Sequence, residues 1–322
     1  MSAPIRIELP TNLQVGSVNA YLFTEPEPVL IDTGLKMPES WAALLAGLQA
    51  HGVAVADLRR IVITHPHVDH CGQAGVLAEQ CEAVIEVADV GYRWLIEFPE
   101  MWRKRIAYYQ REFLPRVGFS PEVIGLVSGY MEQLVEVYAP LPKERVRPFA
   151  SDGVLELGGM SWQVLYMPGH ASTQTCFYQP ETRQFIAADM LLPKTPTPIV
   201  ERPSHGQSRQ PALPIYLQSL DKVEALDIQT VYPGHGDPFT NHRQLIQKQR
   251  ARIQLRKEEC YTLIQNGHHT VLELLMKMYA HYPEQIRFAG LWMLVGYLDL
   301  LKADGLIIEK EINGVWHYET RN

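Results

Sequence analysis

Cysteine is scarce in this 322-residue sequence, and its four cysteines include no Cys-x-x-Cys pair. A disulfide framework and a cysteine-rich zinc module are therefore disfavoured. No apolar run approaches the roughly 18 residues that a membrane-spanning helix requires, and the first residues lack the basic-then-apolar pattern of a secretory signal. We therefore expect a cytoplasmic protein without a membrane partner.

Positive charge is also in short supply, since 29 lysines and arginines face 36 aspartates and glutamates and the formal net charge is −7. This balance argues against a surface that grips phosphate backbones throughout. Residues 1–242 carry 18 basic and 27 acidic side chains, whereas residues 243–322 carry 11 and 9. The change in balance, together with the length, predicts two domains with a boundary near residue 242.

The first part of the chain mixes short β-rich runs with helical patterns. Apolar residues recur at helical spacing in residues 40–51 and 72–80. The strand-like runs, each punctuated by glycine, aspartate or proline, are residues 19–23, 28–31, 60–64, 83–87, 161–167 and 185–188. A layered α/β domain is therefore predicted for residues 1–242.

Two segments break this rhythm. Residues 90–149 read as almost wholly helical and hold 11 of the 30 aromatic residues, which predicts a helical insertion. We expect it to form a lid over the active edge, although its rings could instead pack as core. The rings expected to meet substrate are Tyr92, Trp94, Trp102, Tyr108 and Tyr109. Residues 193–214, with six prolines, are predicted to form a long structured loop on the other side.

The C-terminal segment predicts three helices followed by a hairpin, which is a winged-helix plan. The helices are expected at residues 243–264, 271–279 and 289–303, and the hairpin strands at residues 306–309 and 315–319. Residues 289–304 contain one basic side chain, Lys302, so this helix is expected to be buried or to face a partner rather than to read DNA. A homodimer is one possible arrangement, and phosphate contacts from the basic stretch 248–257 stay open.

The densest cluster of potential metal ligands directly follows the apolar run at residues 60–63. Three imidazoles and one carboxylate lie within six residues: His65, His67, Asp69 and His70. A strand ending there would project all four groups from one loop. Asp69 alone could be a helix N-cap and the histidines a polar turn, but four ligands at this spacing favour a metal site.

Three further positions have the same form, a short apolar run followed by a potential ligand. They are His170, Asp189 and His235, and a glycine precedes each of the two histidines. Each signal is weak alone because a strand-end turn residue would look the same. Together with the first cluster they supply seven nitrogen and oxygen ligands, enough for two ions with open coordination positions.

The order of these motifs resembles the metallo-β-lactamase superfamily on its glyoxalase-II-like hydrolase side. The resemblance covers about residues 10–242 and implies an αββα sandwich with the metals at one edge. The implied ligands are His65, His67 and His170 for one ion and Asp69, His70 and His235 for the other, with Asp189 bridging them. Asp32, in Ile-Asp-Thr-Gly, matches the family's first motif, which supports the loop beneath the metals.

Departures from the family pattern narrow the activity. The β-lactamases proper commonly use a cysteine ligand, and position 189 is aspartate, so antibiotic hydrolysis is not expected. Residues 243–322 resemble the winged-helix appendage of a bacterial and mitochondrial β-lactamase-like subgroup, whereas true glyoxalase II has a different helical domain that helps bind glutathione. The family's His-x-Gly-Gly is also altered, to His70-Cys71-Gly72-Gln73. A glutathione thioester is therefore in doubt as the substrate.

These residues predict a dinuclear hydrolase of a small-molecule ester, thioester or lactone. Two divalent ions, zinc in the first instance and iron or manganese otherwise, would share a hydroxide that attacks the substrate, and Asp69 would accept a proton. Three alternatives stay open. They are a β-lactamase-like ribonuclease, a mononuclear iron dioxygenase, and a metal-stabilised scaffold without enzymatic activity. The last is the weakest, because a structural ion prefers a closed four-ligand site.

Overall fold

The first six strands of the chain form one sheet, and its parallel strands end at the same edge of the molecule. The computed structural model describes residues 3–194, 209–282 and 284–321. In spatial order the strands are β1 (Ile5–Leu9), β2 (Val18–Phe23), β3 (Val29–Ile31), β4 (Arg60–Ile63), β5 (Val84–Ala88) and β6 (Val146–Phe149). The pairs from β3 to β6 are parallel. The loops after β3 and β4 therefore leave the sheet at the same edge.

A five-stranded sheet lies against the first. Its strands are β7 (Val154–Leu157), β8 (Met160–Tyr166), β9 (Thr175–Gln179), β10 (Gln184–Ala188) and β11 (Thr230–Pro233), in the spatial order β11-β10-β9-β8-β7. Only the β10–β11 pair is parallel among these strands, and the others pair antiparallel. Large rings such as Phe23, Trp162 and Phe177 fill the layer between the two sheets.

Helices cover the outer faces of both sheets, which confirms the predicted αββα sandwich. The helices of the first part of the chain are α1 (Pro38–Ala50), α2 (Val68–Cys71), α3 (Ala74–Ala78), α4 (Asp89–Ile96), α5 (Phe98–Tyr108), α6 (Leu114–Val117), α7 (Pro121–Gln133) and α8 (Ala212–Ala225). Helix α1 packs along β1, and α8 contributes Leu213, Leu220 and Val223 to the core. No helix in the described ranges combines the length and apolar character that crossing a membrane requires.

The predicted helical insertion is only partly helical. Helices α4 to α7 and a π-helical turn, Tyr109–Phe113, account for its first three quarters, but it ends in strand β6 rather than in a helix. The helical prediction for residues 146–149 was therefore wrong. Pro148 lies in β6, and an edge strand tolerates the hydrogen bond that a proline cannot donate. Because proline is otherwise rare in strands, the residues around it did not predict one.

Most of the insertion's rings are core. Trp102, Tyr108 and Tyr109 are all buried and belong to the main apolar cluster, as do Phe98 and Phe113. The structure thus favours the core alternative over the lid for these three predicted lid residues. Tyr92 and Trp94 are half-buried and are the remaining lid candidates.

The C-terminal segment follows the predicted order of elements. Helices α9 (His242–Gln265), α10 (Val271–Met278) and α11 (Glu284–Ala303) precede a hairpin of β12 (Ile307–Ile312) and β13 (Val315–Thr320). Asn313 and Gly314 both have positive φ, as the hairpin turn requires. The proline-rich loop predicted at residues 193–214 lies mostly outside the described residues, and its last three residues are instead the start of α8.

Candidate metal centre

Each predicted ligand is placed by the end of a strand or by the turn that follows it. His65 and His67 follow β4, and the short helix α2 then presents Asp69 and His70. In the second sheet the ligand candidates follow three strand ends. His170 comes after β8, Asp189 directly after β10, and His235 after β11. The structure brings all seven side chains together at this edge, six of them buried and His67 half-buried.

Three imidazoles form the first group. The Nδ1 atom of His67 lies 3.0 Å from Nε2 of His65 and 3.0 Å from Nε2 of His170. Two neutral rings can share one proton at such a distance, but one Nδ1 atom cannot donate to both neighbours. Three ring nitrogens that converge in this way form the donor set that a divalent transition metal prefers.

The second group combines imidazoles with carboxylates. Oδ2 of Asp69 lies 3.4 Å from Nε2 of His235 and 3.9 Å from Nε2 of His70. Asp189 lies between the two groups: its Oδ2 is 3.4 Å from Nε2 of His170 and 3.5 Å from Nε2 of His235, and its Oδ1 is 3.3 Å from Nε2 of His70. Of the seven, Asp189 is the residue whose carboxylate approaches both groups.

Contacts behind the rings determine which nitrogen faces the centre. The Nδ1 atom of His70 donates to Oδ2 of Asp32 at 2.8 Å, and Nδ1 of His235 donates to the Ser17 carbonyl at 2.7 Å. Thr64 donates its hydroxyl proton to Asp32, so its oxygen accepts from Nδ1 of His65 at 3.1 Å. All three rings therefore direct the lone pair of Nε2 toward the centre. Asp32 occupies the supporting position that the sequence predicts.

Backbone conformation adds to this arrangement at two positions. Ala188 has φ 44°, a left-handed conformation that costs a non-glycine residue on the order of 1 kcal/mol, and it aims the next residue, Asp189, across the strand end. Gly234 leaves room for that carboxylate, because a Cβ there would lie 2.1 Å from Oδ1 of Asp189 and 3.0 Å from Cε1 of His70.

Asn19 and Tyr21 on β2 hold the His235 loop. The Nδ2 group of Asn19 donates to the carbonyls of Pro233 and Gly236 at 2.9 and 2.7 Å, and the Tyr21 hydroxyl donates to Pro233 at 2.6 Å. Sequence reasoning missed both residues. The signal in the sequence was one amide side chain in an otherwise apolar strand, Val-Asn-Ala-Tyr-Leu-Phe. Such an amide, when it is buried, needs a hydrogen-bond partner inside the protein.

Burial and neighbouring charges shift the pKa values of the titratable groups of the centre in different directions. Burial, reinforced by neighbouring imidazoles, holds the pKa of His65 and of His67 well below the usual range, so both rings are neutral. Burial opposes ionisation of Asp69, yet His70 and His235 outweigh it and lower the pKa of that carboxyl to about 2. For His235, burial is outweighed by Asp189 and Asp69, which raise its pKa to about 10.

The residues present fit a bound cation. Nε2 of His70, Nε2 of His235 and Oδ1 of Asp189 are buried, and within the part of the chain that the structure describes none of them makes a well-formed hydrogen bond, even though Nε2 of His70 and Oδ1 of Asp189 lie 3.3 Å apart. Buried polar atoms without partners are costly, and three of them facing one small space can share an ion. The carboxylates that favour protons on two of the histidines favour a divalent cation for the same electrostatic reason.

One further charged residue lies near the centre. Arg105 of α5 is buried and stacks over the Trp94 ring, with its Cζ 4.2 Å from the ring centroid. Its positive charge is among the influences that lower the pKa of His67, after burial and His170. Sequence reasoning passed over this arginine because it stands in a charged helical run, Arg-Lys-Arg, where solvent exposure is the usual outcome.

The fold and the site define a metal-binding hydrolase class. A family model described as the metallo-β-lactamase superfamily matches residues 13–235, and the chain therefore belongs to that superfamily. Its fold is one that binds metal ions, in agreement with the His and Asp clusters at the sheet edge.

Individual relatives extend the likeness beyond residues 13–235. The "Probable metallo-hydrolase YqjP" of Bacillus subtilis is 29% identical over 318 residues, covering 98% of this chain and 96% of the relative. The crystal structure of metallo-β-lactamase family protein TTHA1429 from Thermus thermophilus is 25% identical with a TM-score of 0.80, and the match covers 98% of both chains. An "Atrochrysone carboxyl ACP thioesterase" of Aspergillus fumigatus is 25% identical over 259 residues, which are 80% of this chain and 62% of that protein.

Proposed function

We propose that the protein is a dinuclear metal-dependent hydrolase that cleaves a small-molecule ester, thioester or lactone. The observation that carries this proposal is the convergence of seven donor side chains into two groups with Asp189 between them. A single structural ion would need only four of these ligands. We assign one ion to His65, His67 and His170 and the other to Asp69, His70 and His235, with zinc as the expected metal.

Bound divalent ions supply water activation and polarisation of a carbonyl oxygen. The protein's own side chains orient the histidines and accept a proton. Asp32 holds His70 in one tautomer, and the Ser17 carbonyl does the same for His235. Asp69, kept ionised by its histidine neighbours, is the group that accepts a proton during attack on the substrate.

Within this class the thioester is the first substrate to test. Several fungal relatives carry thioesterase names, among them the Aspergillus fumigatus protein above and "Thioesterase pkgB" of Emericella nidulans, which is 23% identical over 256 residues. This chain spans only 62% and 56% of these two relatives, so their particular substrates are not transferred. The chemistry in common is hydrolysis of an activated acyl group.

We further infer that residues 243–322 form a winged-helix-like unit that serves architecture or dimerisation. The side chains of Leu291, Leu294, Leu298 and Leu301 on α11 are buried, so the helix that would read a DNA groove is packed into the protein. This packing supports small-molecule hydrolysis over the ribonuclease alternative.

The test is metal analysis of protein purified without added metal, followed by assays on thioesters, lactones and single-stranded RNA. We expect two equivalents of zinc per chain and hydrolysis of a thioester or lactone that a chelator abolishes and zinc restores. Cleavage of RNA without small-molecule hydrolysis would establish the ribonuclease instead. One equivalent of iron with no hydrolysis of any panel member would point to the dioxygenase.

A further inference from the structure

Helix α8 supports the turn that carries His170. Ser219 of this helix donates its hydroxyl proton to the Pro168 carbonyl at 2.7 Å. Gly169 has φ 140° and lies directly against Tyr216, because a Cβ on Gly169 would be 2.5 Å from Cα of Tyr216. The backbone that presents His170 therefore rests on α8 at two points, and one of them requires a glycine.

Tyr216 also contacts the turn that carries Asp189. Its hydroxyl lies 3.1 Å from the carbonyl oxygen of Met190, the residue after Asp189. The backbone amide of Met190 donates to the Ala187 carbonyl at 2.9 Å, so the same turn is tied to the end of β10 as well. Oδ2 of Asp189 and Nε2 of His170 are 3.4 Å apart. Tyr216 thus contacts two turns whose predicted ligands meet at the centre.

A second partner of Tyr216 comes from the C-terminal segment. Oε1 of Gln249 on α9 lies 2.6 Å from the Tyr216 hydroxyl oxygen, and the hydroxyl has one proton for the two acceptors Gln249 and Met190. Nε2 of Gln249 has no hydrogen-bond partner within the described part of the chain. Exchanging the nitrogen and oxygen of this amide gives each donor an acceptor: Nε2 donates to the Tyr216 oxygen, and the hydroxyl proton goes to the Met190 carbonyl.

Packing alone does not account for a glutamine at position 249. Gln249 has 7% of its surface exposed and lies on the buried side of α9 with Ile246 and Ile253. Burying an amide costs free energy unless hydrogen bonds compensate it, so an aliphatic residue would suit this position better if it served only the core. The contact with Tyr216 is what the amide provides and an aliphatic side chain could not.

We propose that Gln249 and Tyr216 are positioning residues of the metal centre, which act through the Met190 carbonyl to hold Asp189 beside His170. The C-terminal segment thereby takes part in the geometry of the centre. The inference rests on the proposed dinuclear centre, in which Asp189 is the bridging ligand. It predicts that loss of either side chain weakens metal binding by a protein that is still folded, because Asp189 is then held less firmly.

Zinc affinity of Tyr216→Phe and Gln249→Met tests this inference. Both substitutions keep the approximate size of the side chain and remove its hydrogen-bonding atoms. Each should weaken the binding of at least one zinc ion by about 10-fold, the low end of the effect of residues that orient metal ligands. Competition with a chromophoric chelator measures the affinity. The visible absorption bands of the Co²⁺-loaded protein report ligand geometry and should shift in both variants.

The double variant distinguishes one shared contact from two separate packing effects. Tyr216→Phe combined with Gln249→Met should bind zinc no more weakly than the weaker single variant, whereas independent losses would multiply to about 100-fold. Tyr178→Phe is the matched control, since its hydroxyl donates to the Asp227 carbonyl at 3.0 Å, before the start of β11. Tyr178→Phe and Gln247→Met, the latter at an exposed position on α9, should leave zinc affinity unchanged.

A measurement on the wild-type protein does not require any variant to fold. Coupling between two sites is reciprocal, so zinc binding should in turn stabilise the contact at Gln249. Hydrogen–deuterium exchange in peptides of α9 that include Gln249 should therefore slow on zinc loading by about 10-fold more than exchange in peptides of α10.

Unchanged zinc affinity in the folded variants would overturn the inference and leave both residues structural. Multiplied losses in the double variant would overturn it as well, as would equal effects of zinc on α9 and α10 in the wild-type protein. Failure of the hydrolase proposal is seen separately, as fewer than two equivalents of metal in the wild-type protein or no turnover on the thioester and lactone panel. The variants then still report on the ion that is bound.

Discussion

The carboxylate of Asp32 belongs to neither group of predicted ligands, yet it orients two of them, His70 directly and His65 through Thr64. It accepts from Nδ1 of His70, from the Thr64 hydroxyl, and from the Thr64 backbone amide at 2.9 Å. Its own φ of 57° is a strained conformation for a non-glycine residue, and the surrounding hydrogen bonds hold it there. A residue that bears strain in order to direct two imidazoles is expected to affect metal affinity more than its distance from the ligand atoms suggests.

Replacing Asp32 by asparagine should weaken metal binding while the protein stays folded. An amide can present a donor where Oδ2 now accepts, which would leave the proton of His70 on Nε2, the atom that faces the centre. Loss of such a contact typically costs about 10- to 100-fold in metal affinity. Chelator competition measures the change, and Asp152→Asn, at an exposed position, is the control. Unaltered affinity in Asp32→Asn would show that the Asp32 contact does not orient His70.

Asp189→Asn tests the bridging assignment. Because its carboxylate approaches donor atoms of both groups, the variant should lose at least one equivalent of metal and most hydrolytic activity without unfolding. Elemental analysis and thermal unfolding provide the two readouts. Retention of both metals in the folded variant would remove Asp189 from the bridging role.

At the scale of elements, the sequence predicts the strands that carry ligands better than those that do not. The runs before His65, Asp189 and His235 are recognisable because each ends in a turn with an unusual polar residue. The sequence did not predict β1, β7 or β9, because whether these residues form strands depends on the strands with which they pair. Arg105 was missed for the same reason, since only the folded helical layer buries it.

The rings of the insertion differ in burial, and the lid prediction is now confined to the half-buried ones. Trp102 has 8% of its surface exposed and donates its indole proton to Met131, so Trp102→Ala should lower the free energy of unfolding by about 3–5 kcal/mol. Trp94 is half-buried, and Trp94→Ala should raise KM for the thioester substrate with a smaller loss of stability. Denaturant titration and steady-state kinetics measure both variants. Equal stability losses with unchanged KM would show that neither ring contacts substrate.

The buried side of α11 leads to a further prediction at this scale. With its leucines packed into the protein, residues 289–304 should not read duplex DNA, and binding at physiological salt should stay no tighter than the micromolar level of non-specific association. Fluorescence anisotropy with a random duplex of about 30 base pairs measures this. Nanomolar affinity that Lys302→Ala abolishes would contradict it.

At the scale of the whole molecule, the residues on the two sides of the predicted domain boundary at residue 242 pack into one apolar core. Phe113 of the insertion stacks on Trp292 of α11 with 4.6 Å between ring centroids, and Tyr109 lies 5.3 Å from the same ring. Helices α8 and α11 are in close contact, because a Cβ on Gly296 would lie 2.6 Å from Cβ of Leu213. Apolar residues from both sides of the boundary therefore form one cluster.

A charged contact crosses the same boundary. The guanidinium of Arg209, just before α8, pairs with both carboxylate oxygens of Asp299 on α11, one at 2.6 Å. Asp299 is buried, and Arg209 compensates its charge. Separation of the two segments would leave both charges without their partner and would expose the rings around Trp292.

A chain ending at residue 242 should therefore fail to behave as an independent domain. Loss of the contacts to Phe113, Tyr109 and Leu213 uncovers apolar surface in a contiguous patch, which promotes aggregation. We expect low soluble yield or a Tm lowered by at least about 10 °C, since each kcal/mol of stability corresponds to roughly 2–4 °C in a chain of this size. Co-expression of residues 243–322 as a separate polypeptide should restore solubility, because the same surfaces can pair in trans. A soluble, metal-loaded fragment 1–242 with the Tm of the full chain would instead establish residue 242 as a true domain boundary and make the C-terminal unit an appendage.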